Sequence, residues 1–311
     1  DLLSEGRPLR LFNFSSSKLS QNKNIIDARI NNDEAQINNI EYDIKYDSNY
    51  LLSKYYSPSQ ISAFFDNKLV FILSNIFDIQ IDDKDDPYTV IQANEYGTLV
   101  HSLMEGFNKS KISKDDFIKK GLKMYEAFLE KKPPIIKAAE SKTREEIKTT
   151  ISNLYEMEDI NSECVLYENK IDDVEIANIK FKGKFDRIEK DINGNYILVD
   201  YKTGKNVKHK KDDPQSCLQG LIYAYMVEHT NNSIIKSKNI KISRIEFRYP
   251  YFNKSIPIDY SKANEQIMIE KIEEFKNAII NHNFEITEDN MGKYYEKYQK
   301  LLSLYKEVLC K

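Results

Sequence analysis

Asp186, Asp200 and Lys202 are the residues whose types and spacing could do hydrolytic chemistry. They stand on two stretches, FKGKFDRIEK and GNYILVDYKTG, that are rich in β-branched and aromatic residues and flank an Asn193-Gly194 turn signal. That is the pattern of an antiparallel hairpin. Its register decides whether the two acids can cooperate. A two-residue Asn-Gly turn sets Asp186 opposite Tyr201 and points it away from Asp200. A three-residue loop, with a type I turn at Ile192-Asn193 and Gly194 left-handed, sets Asp186 across from Asp200. We expect the second register. Because strand side chains alternate, Lys202 then shares the face of Asp200, while Ile197, Val199 and Tyr201 turn to the other.

Two carboxylates converging at one strand end make a hard, oxygen-rich site suited to Mg²⁺ or Mn²⁺. Phosphodiester hydrolysis uses such a site, because the ion lowers the pKa of bound water, orients the phosphate and neutralises charge on the leaving oxygen. Lys202 would steady the nucleophile and the developing negative charge. An Asp-x-Lys triplet by itself arises by chance in a chain this rich in charge, so the surroundings carry the argument.

Those surroundings change character along the chain. Residues 1–55 are polar and Asn/Asp-rich and read as an extended lead-in or linker. Tyr56-Ser57-Pro58-Ser59 puts a Ser cap and a Pro ahead of QISAFFDNKLVFILSNIF, whose apolar spacing suits a buried helix. After the acidic DDKDDP, the segment ANEYGTLVHSLMEGFN carries Leu99, Val100, Leu103, Met104 and Phe107 at helical spacing, with Gly97, His101 and Glu105 on another face. Two more helices are expected between 113 and 156, interrupted at Pro133-Pro134. The period then becomes strand-like in CVLYENKI, VEIANIKFKGKFDRIEK and GNYILVDYKTG. After the loop KNVKHKKDDP come an amphipathic helix, SCLQGLIYAYMVEHT, the strand KISRIEFRYPYF, a helix from about 260 to 281 and a tyrosine-rich C-terminal helix.

Composition sets the limits. Of 311 residues, 41% are hydrophobic and 31% charged, and a formal charge of −3 provides no global field for polyanions. A nucleic-acid surface must be local. No run of ~18 apolar residues is present and the first segment lacks the order of a signal peptide, so we expect a cytoplasmic protein without membrane contact. Cys164, Cys217 and Cys310 are too few and too widely spaced for a disulfide framework or a zinc site.

The stretch KGKFDRIEKDINGNYILVDYKTGK resembles the RecB/AddB-type branch of the PD-(D/E)XK nuclease superfamily, related to Cas4, whose pattern is a G-x-(I/F)-D-R strand followed by (V/I)-(V/I)-D-(Y/F)-K-(T/S)-G. Upstream, Gly97-Thr98-Leu99-Val100-His101 matches the G-T-x-x-H motif; downstream, Gln219 to Tyr223 matches Q-x-x-x-Y. The resemblance implies an α/β, restriction-endonuclease-like core over residues 56–290, a central mixed sheet flanked by helices, with residues 291–311 as a C-terminal helix packed on it. It implies His101, Asp186, Asp200 and the Tyr201 backbone carbonyl as ligands of Mg²⁺ or Mn²⁺. Gln219 and Tyr223 would orient Lys202 or the DNA. A Glu on the preceding strand is also expected, with Glu163 favoured over Glu168. Iron–sulfur relatives place one Cys before the His motif and three near the C-terminus; SAFFDNKLVF has none and the tail retains only Cys310, so no cluster is expected.

The activity implied is a metal-dependent deoxyribonuclease acting on single-stranded DNA or duplex ends, as the nuclease domain of a RecB/AddB-like helicase–nuclease in double-strand-break repair and recombination. A free-standing Cas4-like or phage or defence nuclease, or a catalytically inactive DNA-binding scaffold, would share the fold. The complete set His101, Asp186, Asp200 and Lys202 argues against the scaffold. Lys205, Lys208, Lys210 and Lys211 follow the second strand and could touch phosphate, or form a solvated loop.

Overall fold

A computed structural model of the chain describes residues 47–66, 68–76 and 89–281. In chain order its elements are helix α1 (Ser48–Ser53), strand β1 (Tyr55–Tyr56), helices α2 (Pro58–Asp66) and α3 (Lys68–Phe71), a π-helical turn (Ile72–Ile76), and helices α4 (Ala93–Met104), α5 (Lys114–Lys131) and α6 (Lys137–Met157). Strands β2 (Glu163–Tyr167), β3 (Lys170–Ile176), β4 (Ile179–Lys184), β5 (Arg187–Lys190) and β6 (Tyr196–Tyr201) follow. Helices α7 (Leu218–His229) and α8 (Ser233–Lys236), strands β7 (Ile242–Tyr249) and β8 (Lys254–Asp259) and helix α9 (Lys262–Ile280) complete them. The stretch expected as an extended lead-in is helical at Ser48–Ser53 and a paired strand at Tyr55–Tyr56; the rest of it, and the expected C-terminal helix over 291–311, lie outside the described residues.

The chain divides into two compact units. The described part of the first is residues 47–53, 60–66, 68–76 and 274–281. Phe64, Phe71 and Phe275 meet edge to face there, with ring centroids 5.1–5.5 Å apart, the offset geometry aromatic quadrupoles prefer.

The second unit, residues 54–59 and 89–273 as described, holds every strand found among the described residues. Five strands lie in the order β2-β5-β6-β7-β8, with β6 and β7 parallel and the other neighbours antiparallel. A parallel pair needs a crossover, and α7 lies between β6 and β7 in the chain. On one face, Ile197, Val199 and Tyr201 of β6 pack into a core with Leu99, Val100, Leu103 and Met104 of α4, Phe117 and Tyr125 of α5 and Ile147, Ile151 and Leu154 of α6. On the other face α7 comes so near the sheet at Gly220 that a Cβ there would sit 2.7 Å from Phe247 and 2.8 Å from Ile245.

A second sheet, β1-β4-β3, shows why the expected strand VEIANIKFKGKFDRIEK is three strands instead. Ala177 and Asn178 turn left-handed, φ +50° and +66°, folding β3 back on β4. At Phe185-Asp186 the chain leaves β4 and enters the larger sheet as β5. KISRIEFRYPYF likewise ends as a strand at Tyr249, and left-handed Asn253 starts β8, whose Pro257 is tolerated because β8 is an edge strand.

Candidate active site

The hairpin between β5 and β6 has the three-residue register. Arg187 pairs with Val199 and Lys190 with Tyr196. The Asp191 N–H donates to the Asn195 carbonyl at 2.9 Å, and Gly194, at φ +84°, donates its N–H to the Asp191 carbonyl at 3.0 Å. A residue with a Cβ would be strained at that φ. Asp191 also clamps the turn through its side chain, accepting from the Asn193 and Asn195 amides.

With that register, Asp186 lies just before β5 beside the end of β6. Its Oδ2 accepts the Tyr201 N–H at 2.8 Å, and its Oδ1 lies 3.5 Å from His101 Nδ1 on α4. Asp200 and Lys202 meet on the face toward α7. Lys202 Nζ is 2.8 Å from Asp200 Oδ2 and donates to Gln219 Oε1 at 2.9 Å, while Gln219 Nε2 donates to Asp200 Oδ1 at 3.4 Å. Tyr223, one helical turn beyond Gln219, packs on Gly183, where a Cβ would be 2.8 Å from its ring and 2.9 Å from its hydroxyl oxygen. His101, Asp186, Asp200, Lys202, Gln219 and Tyr223 thus come together at one end of the sheet.

Burial and mutual repulsion set their charges. Asp186 is pushed well above the usual carboxylate range, first by burial and then by Asp200, against the pull of the Tyr201 amide and Lys202. His101 is lowered by burial, which favours its neutral imidazole. Burial opposes the Lys202 charge, but Asp200 and Asp186 outweigh it and the ammonium is raised above its ordinary value. Burial likewise raises the Tyr223 hydroxyl.

Among the described residues, no three His, Cys, Asp or Glu side chains close on one point as a ready ligand set. His101 reaches Asp186, whereas Asp200 is turned to Lys202 and Gln219. The donors still fit a hard divalent cation. Asp200 Oδ2 is buried and, the Lys202 ammonium 2.8 Å away aside, meets no hydrogen-bond partner among the described residues. The buried carboxylate of Asp200 and the half-buried one of Asp186 have a single ammonium nearby, that of Lys202 on Asp200, and are short of positive charge, and a neutral imidazole adjoins.

Glu163 is not brought to the site. It is exposed and pairs with Lys190 near the hairpin turn, four residues or about 13 Å along the strand from Asp186. Glu168 stands there instead: its N–H donates to the Asp186 carbonyl at 2.9 Å, its carboxylate pairs with Lys184, and its charge reaches both His101 and Asp186. A register shift between Cys164 and Leu166 and a left-handed φ of +48° at Glu168 set that position. Tyr167 just before it donates its hydroxyl to the His101 carbonyl.

Lys205, Lys208, Lys210 and Lys211 are exposed on the loop after β6. Lys205 is 3.1 Å from Glu146 and lies over the Tyr251 ring at 5.0 Å. His209, inside the same basic run, is buried: its ring stacks on Phe247 at 3.7 Å and its Nδ1 meets the Tyr249 hydroxyl. That hydroxyl also accepts the Lys208 and His209 amides at 3.3 and 3.4 Å, which pins the loop to β7. Cys164 and Cys217 are free thiols, one half-buried and one buried; Cys310 lies outside the described residues.

A mixed five-stranded sheet with helices on both faces, presenting two aspartates and a lysine at adjoining strand ends, defines a restriction-endonuclease-like α/β protein. The family model of the PD-(D/E)XK nuclease superfamily matches residues 55–293, and the chain belongs to that superfamily. No curated protein matches it. No helix among the described residues is long and apolar enough to cross a membrane.

Proposed function

We propose that this chain hydrolyses DNA phosphodiester bonds with Mg²⁺ or Mn²⁺, on single strands or duplex ends, as the nuclease domain of a RecB/AddB-like helicase–nuclease in double-strand-break repair. The observation that carries the reading is the meeting of Asp186, held by the Tyr201 amide and beside His101, with Asp200 and Lys202.

Each residue has a task in this reading. Asp186, Asp200, His101 and the Tyr201 carbonyl would hold the ion, which when bound supplies an activated water and neutralises charge on the phosphate. Lys202, kept charged by Asp200, faces the negative charge that grows on the phosphate oxygens. Gln219 fixes the ammonium by accepting a hydrogen bond from it and steadies Asp200 with its own amide. Tyr223 holds α7 against Gly183, so Gln219 cannot drift along the sheet. Lys205, Lys208, Lys210 and Lys211 supply sequence-independent phosphate contacts.

The test is cleavage of 5′-labelled single-stranded and duplex DNA with Mn²⁺ and with EDTA, for the wild type and Asp200→Ala. Cleavage that needs the ion and Asp200 is expected. Cleavage by Asp200→Ala, or in EDTA, would refute the reading.

A further inference from the structure

On the face of the sheet away from Asp200 and Lys202, five charged side chains are gathered, four of them buried. Arg248 donates from Nη1 to Glu158 Oε1 at 2.6 Å and Glu189 Oε1 at 3.2 Å, and from Nη2 to Glu189 Oε2 and Glu246 Oε2 at 2.8 Å each. Arg187 brings Nε to 2.6 Å from Glu189 Oε1 and Nη2 to 3.6 Å from Glu158 Oε2. Glu158, Arg187, Glu189 and Arg248 are each 4% exposed or less. Apolar residues of similar volume usually pack such a place as stably, so a buried ionic cluster is weak evidence of stability for its own sake.

What distinguishes the cluster is where its arms lead. Arg187 is the next residue after Asp186. The Arg248 carbonyl accepts the Lys202 N–H at 2.8 Å. Tyr201 stands between Asp200 and Lys202, and while its hydroxyl donates to Glu158 Oε1 at 2.8 Å, its amide donates to Asp186 Oδ2. Alternation puts the charged cluster and the site on opposite faces of the same strands, so each arm grips the backbone one residue from a site side chain. Glu158, just after α6, is the acceptor shared by Tyr201 and Arg248.

We infer that Glu158 is a positioning residue: by holding the Tyr201 hydroxyl and Arg248 from the far face of the sheet, it fixes the peptide that sets Asp186 beside Asp200 and Lys202. The inference rests on the metal-dependent reading above. Groups that orient metal ligands typically change metal affinity 10- to 100-fold when removed, whereas a group that only holds the fold changes unfolding temperature and leaves affinity alone.

The experiment measures Mn²⁺ affinity of the DNA-free full chain by electron paramagnetic resonance, with thermal unfolding in parallel. Tyr201→Phe removes one hydroxyl and keeps the backbone, and about tenfold weaker binding is expected. Glu158→Ala, which also frees Arg248, should weaken binding at least as much, and the double variant should bind no more weakly than Glu158→Ala alone, because Tyr201→Phe then cuts a tie already lost. Glu158→Gln, which keeps Oε1 as an acceptor, should restore affinity. Wild-type affinity in Tyr201→Phe, or losses that add independently in the double variant, would overturn the inference. If Glu158→Ala does not fold, Tyr201→Phe decides alone. A folded wild type that binds no Mn²⁺ would remove the nuclease reading itself; a wild type that binds, beside an unaltered Tyr201→Phe, removes only this inference.

Discussion

The Tyr201 amide donates to Asp186 Oδ2 at 2.8 Å, so the acid just before β5 is held by the residue that separates Asp200 from Lys202 at the end of β6. An Asn at 186 keeps an oxygen for that amide and loses the charge. Burial and Asp200 disfavour that charge in the metal-free protein. Asp186→Asn should therefore unfold at the same or a higher temperature than the wild type at neutral pH without metal, yet lose Mn²⁺ binding and cleavage. Calorimetry of the two proteins in EDTA, with a cleavage assay in Mn²⁺, checks both halves; a clear drop in unfolding temperature would contradict the charge argument.

Lys202 and Gln219 act in series and should separate by size of effect. Removing a preorganised charged donor aimed at a developing oxyanion costs about 10²- to 10³-fold in kcat, so Lys202→Ala should fall in that range while DNA binding measured with Ca²⁺ persists. Gln219→Ala leaves the ammonium in place but unsteered and should cost about tenfold, the scale of a supporting interaction. Single-turnover kinetics distinguishes them, and equal losses would mean that Gln219 touches the phosphate itself.

The register that unites Asp186 and Asp200 was legible because local chemistry dictates it: Gly194 takes the left-handed position and Asp191 clamps the loop. The apolar periodicity of α4 and the β-branched run of β6 were legible for the same reason. What was hidden depends on contacts distant in sequence. Ala177-Asn178 carries no Gly or Pro, so its turn was invisible inside an apparent strand. Glu168 reaches the site only through the register shift in β2, which made Glu163 look equivalent. Arg187, Glu189 and Arg248 alternate with apolar neighbours as a solvated face would, and only the fold shows that face to be covered. His209 among lysines reads as part of a basic loop until Phe247 and Tyr249 are placed beside it.

Glu168 and Glu163 provide a paired comparison on one strand. Glu168 contacts Lys184 and the Asp186 backbone, whereas Glu163 faces solvent near the hairpin turn. Glu168→Gln should weaken Mn²⁺-supported cleavage about tenfold, the lower range for a group that orients a metal ligand, and Glu163→Gln should cleave as the wild type does. The reverse ranking would show that β2 pairs in a different register.

Gly183 has a steric role. Its missing Cβ leaves room for the Tyr223 ring, which would otherwise be approached to 2.8 Å. Gly183→Ala must displace Tyr223 and with it α7, at a cost of about 1–3 kcal/mol, as for other overpacked sites. Tyr223→Leu in the same chain should relieve much of that loss. Denaturant unfolding of the two single variants and the double gives the coupling, and strictly additive losses would place Tyr223 elsewhere.

His209 makes stability depend on pH in a direction the structure fixes. Burial, with Lys202 adding to it, lowers its imidazole from the ordinary 6.5 to about 4. Between those values the unfolded chain binds the proton and the folded chain does not, so acid favours unfolding. This contribution is complete above about pH 6.5 and is lost as pH falls toward 4. His209→Phe keeps a flat ring for Phe247 but has nothing to titrate. Wild-type unfolding temperature should therefore fall more steeply than that of His209→Phe between pH 6.5 and 4, since the other titrating groups are common to both. The same ring anchors the loop carrying Lys205, Lys208, Lys210 and Lys211, so acid that protonates it should also loosen DNA binding in the wild type more than in the variant. Parallel unfolding curves would mean that the imidazole takes up its proton in the folded state, contrary to its stacked and buried position.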